Sequence, residues 1–98
     1  MKVIKTSQKL EVVKKLETLD SREITRAIRD AIIAELDAIK QYENIVDSTN
    51  DVKVMDILQD IANEEKVHVG ELQELLRYLE EDYQDFLDEG KNEVKGME

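Results

Sequence analysis

Residues 48–51 read Ser48-Thr49-Asn50-Asp51, four consecutive side chains that hydrogen-bond to nearby backbone in preference to continuing a helix. Upstream, Asp20 and Ser21 offer a cap, Glu23 and Ile24 open a pattern, and apolar residues recur at helical spacing to about Asp47. Downstream the same spacing resumes at about Val52 and holds to Leu79. Each segment makes a helix about 40 Å long at 1.5 Å per residue. Joined by so short a turn, the two must lie antiparallel as a helical hairpin. Two helices alone cannot enclose a core, so their apolar stripes need a cover, most simply a second copy of the same hairpin. The expected fold is all-α, with a four-helix bundle assembled from two chains.

The flanks are shorter. Val12, Leu16 and Leu19 fall at i, i+4, i+7 behind Ser7 as a cap, which predicts a short amphipathic helix within residues 1–19. Beyond Glu80, Tyr83, Phe86 and Leu87 predict a last short helix over 80–89 after a bend. Residues 90–98 are polar, contain Gly90 and Gly96, and read as a flexible tail or linker. Residues 1–89 therefore form one domain, with main helices over 21–47 and 52–79. The absence of proline and the scarcity of aromatics, one Phe and three Tyr in 98 residues, fit long helices better than a sandwich or barrel.

Charge and composition exclude several functions. With 24 acidic against 14 basic side chains the net charge is −10, so phosphate backbones repel the chain and nucleic acid is not an expected partner. No run approaches the roughly 20 apolar residues of a membrane span. No apolar leader opens the chain, so a cytoplasmic location is expected. Without cysteine there are no disulfides, thiolate metal sites or cysteine nucleophiles. A single histidine, His68, cannot build a multi-imidazole zinc site within one chain.

At about 100° per residue, Ile24, Ile28, Ala31, Ile39, Tyr42 and Val46 share one face of the first long helix. Glu35 falls in the middle of that face. The second long helix carries Val54, Leu58, Ile61, Leu72, Leu76 and Leu79, with Glu65 near the centre of the stripe and His68 within it, leaning toward Ile57 and Leu75. An ionised carboxylate buried without a partner costs several kcal/mol. No Arg or Lys occupies either stripe, so something cationic must sit there or the groups must take up protons.

A di- or trivalent metal fits, because Glu65-Lys66-Val67-His68 is Glu-x-x-His and puts an oxygen and a nitrogen donor one turn apart on one face. Helical di-iron carboxylate proteins use two such helices and two helices with one Glu each. One hairpin supplies half of that set and a two-fold dimer all of it. Four glutamates then balance two Fe²⁺, and oxygen and nitrogen donors without sulfur suit iron or manganese and also hold zinc. Taken alone, Glu-x-x-His arises by chance on acidic helices, a lone core His is more often simply hydrogen-bonded, and Tyr42 is more often packing. What favours the metal is the conjunction: Glu35 and Glu65 each lie 15 residues from Asn50, so they meet at one level across the hairpin.

Glu35-Leu36-Asp37-Ala38-Ile39-Lys40-Gln41-Tyr42, the turn at 47–51, and Asn63-Glu64-Glu65-Lys66-Val67-His68 together resemble the encapsulated ferritin family. The resemblance spans roughly Leu16 to Tyr83. It implies a ferritin-like bundle completed by a homodimer, dimers closing into a ring-shaped decamer, and metal ligands Glu35, Glu65 and His68 from both chains, with Glu65 bridging and Tyr42 close by. It implies a ferroxidase that oxidises Fe²⁺ with O₂, with the iron mineralised inside an encapsulin nanocompartment whose shell protein is the partner. Against the family pattern, Ala34 replaces an acidic residue, which puts a surface route for metal in question, while Asp37 keeps an outer acidic position and Gln41 stands where an aromatic is frequent. Residues 1–15 are additional, and no Leu- and Gly-rich cargo tail follows Gly90. Both free cargo and the N-terminal domain of an archaeal shell fusion fit that ending. The competing readings are a non-catalytic helical interaction module and a metal-buffering module.

Overall fold

The computed structural model describes residues 21–97, and the helix expected within 1–19 lies outside the described residues. Three helices follow in order: α1 (Ser21–Ser48), α2 (Val52–Leu79) and α3 (Tyr83–Gly96). The turn ends α1 and starts α2 by the chemistry of its side chains. Ser48 Oγ donates to the Asn44 carbonyl. Thr49 Oγ1 accepts from Asp51 N–H at 3.1 Å. Asp51 then caps α2, its Oδ1 accepting from Val54 N–H at 3.1 Å and satisfying one of the donors a helix start leaves open. Both main helices lie where the periodicity puts them, α1 ending one residue later than expected.

α1 and α2 pack antiparallel along their length, and the stripes face one another. Ile39, Ala62 and Leu76 are buried. Ile24, Ile28, Ala31, Tyr42 and Val46 on α1, and Leu58, Ile61, Leu72 and Leu79 on α2, are half-buried. Val54 departs from the stripe and is exposed, because it sits in the first turn of α2, where the partner helix has just ended. Ala62 has no exposed surface at all, which places the close approach of the two helices one turn before Glu65. So few buried apolar residues, beside exposed Ile45, Ile57 and Leu75, leave an apolar edge open to solvent.

The third helix corrects the expected boundaries. It does not stop at residue 89 before a flexible tail; it runs from Tyr83 to Gly96. Gly90 inside it costs only about 1 kcal/mol relative to alanine, and no proline interrupts it. Asp85 in the first turn and Lys95 in the last complement the helix dipole. None of its residues is buried. The bend before it is held by Glu80 N–H donating to the Leu76 carbonyl at 2.8 Å and by an ion pair from Arg29 to Glu80 at 2.5 Å. Near the end of α2, hydrogen bonds from Arg77 hold the exposed Glu74 carboxyl below its ordinary range. No helix among the described residues is long and apolar enough to cross a membrane.

Candidate metal centre

The hairpin register brings Glu35 of α1 opposite Glu65 and His68 of α2, and one donor atom from each lies within 4.8 Å of the other two. His68 Nδ1 stands 3.7 Å from Glu35 Oε2 and 3.7 Å from Glu65 Oε1. The Glu35 side chain is 13% exposed, Glu65 3% and His68 31%. Glu35 Oε2 and His68 Nδ1 are buried and have no hydrogen-bond partner. Buried polar atoms left without a partner cost about 1–3 kcal/mol each, so this arrangement calls for something between them.

A metal ion satisfies that requirement. Two donors each about 2.1 Å from one ion stand roughly 3–4 Å apart, depending on the angle between them. A spacing of 3.7 Å is too long for a hydrogen bond and falls inside that range. Two carboxylates and one imidazole make an oxygen and nitrogen set suited to iron, manganese or zinc. Tyr42 is half-buried on the α1 face that carries Glu35, seven residues further on.

The two edges of the hairpin beside these donors differ. On one edge Lys66, the neighbour of Glu65, reaches across to Glu43, the neighbour of Tyr42, with Nζ 3.0 Å from Oε2. On the other, about 80° around from Glu35 and from Glu65 in the opposite sense, lie Ile45, Ile57 and Leu75, exposed at 46%, 50% and 45%. His68 lies on this second side, so the donor cluster opens toward apolar surface. Periodicity had already tilted His68 toward Ile57 and Leu75. It missed Ile45, which lies off the main stripe, and it missed Glu43, whose pairing depends on the handedness of the hairpin. On the outer surface of α1, Gln41 Nε2 donates to Asp37 Oδ2 at 2.9 Å. The residue replacing the frequent aromatic thus ties down the outer acid.

Residues 8–90 match the EncFtn-like family. The chain belongs to that family. This EncFtn-like chain is 47% identical over 75 residues to the ferritin-like–encapsulin shell fusion protein of Pyrococcus furiosus, a stretch covering 76% of the chain and 22% of the relative. It therefore spans about a fifth of that protein's length. The crystal structure of the encapsulated ferritin domain from Pyrococcus furiosus superposes with a TM-score of 0.78 at 44% identity, covering 80% of each chain. The EncFtn-like chain thus has the fold of a solved encapsulated ferritin domain, and its membership is consistent with an iron-related role.

Proposed function

We propose that the protein is a ferroxidase: it takes Fe²⁺ as substrate and passes one electron from each ion to O₂, at a di-iron site shared by two copies of the chain. The observation that carries this reading is the convergence of Glu35, Glu65 and His68 on one buried point, with Glu35 Oε2 and His68 Nδ1 lacking hydrogen bonds. Glu35 and Glu65 supply anionic oxygens, and His68 supplies a neutral nitrogen donor from the open side. Glu65, the most buried of the three, is suited to bridge two ions, and Tyr42 lies along the same face. Within one chain the set is half of that in helical di-iron carboxylate proteins. A second hairpin laid over Ile45, Ile57 and Leu75 completes it and covers the exposed apolar edge. Four carboxylates then match the charge of two Fe²⁺.

The burial of the donors suits the chemistry. Fe³⁺ carries more charge than Fe²⁺, so fixed carboxylates in a poorly solvated site favour the oxidised ion. The relative is named as a fusion to an encapsulin shell. By extension the oxidised iron is stored within an encapsulin nanocompartment, with the shell protein as partner, the ferroxidase as a ring of dimers, and the whole in the cytoplasm.

The test is the absorbance rise when Fe²⁺ is added under air. Glu65→Ala and His68→Ala are each expected to lower its initial rate at least about 100-fold, the scale of losing a metal ligand or its support. Wild-type rates in either variant refute the assignment. Iron bound without O₂ consumption by the wild type would instead establish metal buffering. Less than about 0.2 iron per dimer after reconstitution would favour a non-catalytic interaction module.

A further inference from the structure

His68 can ligate through Nδ1 only when its ring proton sits on Nε2, and the carboxylates beside it pull the other way. Glu35 Oε2 and Glu65 Oε1 both stand 3.7 Å from Nδ1, and carboxylates accept hydrogen bonds but cannot donate them. They therefore favour a proton on Nδ1, which is the tautomer that cannot bind a metal there. Which nitrogen a histidine offers is set by the hydrogen bond its other nitrogen makes. Nε2 needs an acceptor of its own.

Nδ1 is buried although the side chain is 31% exposed, so the exposed part of the ring is the side away from the two carboxylates, which carries Nε2. Side chains on a helix lean toward its N-terminus. The approach of Nδ1 to Glu65, three residues earlier, shows His68 leaning back over the turn that begins at Glu64. Viewed down α2, His68 stands about 60° around from Glu65, and Glu64 about 100° in the same sense. The ring thus has Glu65 on its inner side and Glu64 on its outer side. Glu64 precedes His68 by four residues, the spacing and order in which an acid and a following donor meet on a helix. Its carboxylate is exposed and tied to no other described residue. Glu71 lies on the same edge, but it follows His68, which leans away from it.

We propose that Glu64 is a positioning residue: its carboxylate accepts the Nε2–H of His68 and holds the ring in the tautomer that presents Nδ1 to a metal. Glu64 itself touches neither metal nor substrate. This role rests on the proposed function only in taking Glu35, Glu65 and His68 as metal donors. A second hairpin laid over Ile57 and Leu75 covers the same edge and shields the hydrogen bond from water, where it is stronger.

The chain has one histidine and no tryptophan, so an imidazole N–H signal in a nitrogen-15 NMR spectrum comes from His68 alone. The experiment uses the full chain without a tag and Zn²⁺ as a diamagnetic probe, with affinity measured by competition against a chelating dye on the same samples. Wild type should show an Nε2–H resonance protected from exchange with water. Glu64→Ala should lose that resonance and bind Zn²⁺ about 10–100-fold more weakly. Glu64→Gln keeps an acceptor oxygen and should restore the resonance and part of the affinity. Glu71→Ala removes the same charge from the same edge and should keep the resonance, with affinity within about three-fold of wild type, the scale of an exposed charge. A Glu64→Ala chain that keeps the resonance or the wild-type affinity overturns the proposal, as does a Glu71→Ala chain that loses as much. His68→Ala separates the two readings. Wild-type affinity in that variant overturns the metal centre and the positioning role with it, whereas weak binding in His68→Ala beside wild-type binding in Glu64→Ala overturns the positioning role alone.

Discussion

Replacing Glu35 with leucine should make the metal-free protein more stable and remove the stabilisation that metal confers. Glu35 Oε2 is buried without a hydrogen-bond partner, and the facing His68 Nδ1 is 3.7 Å away, beyond hydrogen-bond reach. An unsatisfied buried acceptor costs about 1–3 kcal/mol. Leucine has comparable length and helix propensity and belongs on a stripe that includes Ile39. For a unit of two 98-residue chains, each kcal/mol shifts Tm by about 2–4 °C. With one Glu35 in each chain the unit gains about 2–6 kcal/mol, so Glu35→Leu in chelator is expected to melt about 4–24 °C above wild type. Anaerobic Fe²⁺ at about 100 times its Kd contributes about 2.7 kcal/mol per site to wild type, about 5.4 kcal/mol for the two sites of the unit, a rise of about 11–22 °C that the variant should lack. Scanning calorimetry of both proteins, with chelator and with anaerobic Fe²⁺, should show a rise with metal in wild type and none in the variant. A variant that melts below wild type in chelator shows that Glu35 is structurally satisfied. One whose Tm rises with metal as wild type does shows that Glu35 is not a ligand. Either result refutes the reasoning.

Other outcomes follow from the same geometry. Ile57→Asp or Leu75→Asp places a charge on the apolar edge beside His68 and should abolish dimerisation and lower iron oxidation more than about 10-fold together; Val67→Asp, on an exposed position away from that edge, should change neither. Dimer mass and initial rate measured on the same preparations check this, and a monomeric variant with full activity would show that one chain suffices. Gly70 has no atom within 4 Å of an added Cβ and a helical φ, so Gly70→Ala should stabilise the protein by about 0.5–1 kcal/mol, read as a rise in Tm; a fall would reveal a close neighbour in the assembly. The Glu43–Lys66 pair is partly exposed, so Lys66→Ala should cost no more than about 1 kcal/mol in denaturant unfolding, and a loss above about 2 kcal/mol would mean that the pair fixes the hairpin register at the donors.

The hairpin was legible because its signals are local. Ser48 to Asp51 stop one helix and cap the next with their own side chains, and Glu35, Glu65 and His68 stand out because two acids interrupt apolar stripes at equal distance from that turn. The end of α3 was misread for a local reason as well. Two glycines and polar neighbours suggested a tail, yet a single internal glycine weakens a helix by only about 1 kcal/mol, too little to end one whose remaining residues favour it.

Periodicity by itself determined which residues face inward, since a helix repeats every 3.6 residues whatever surrounds it. It did not decide what those faces meet. The 3.7 Å spacing of His68 Nδ1 from both carboxylates, and the division into an ion-paired edge at Glu43 and Lys66 and an apolar edge at Ile45, Ile57 and Leu75, exist only once two helices pack with a given hand and register. These are distances between atoms some 30 residues apart in the chain, and the tertiary fold alone sets them.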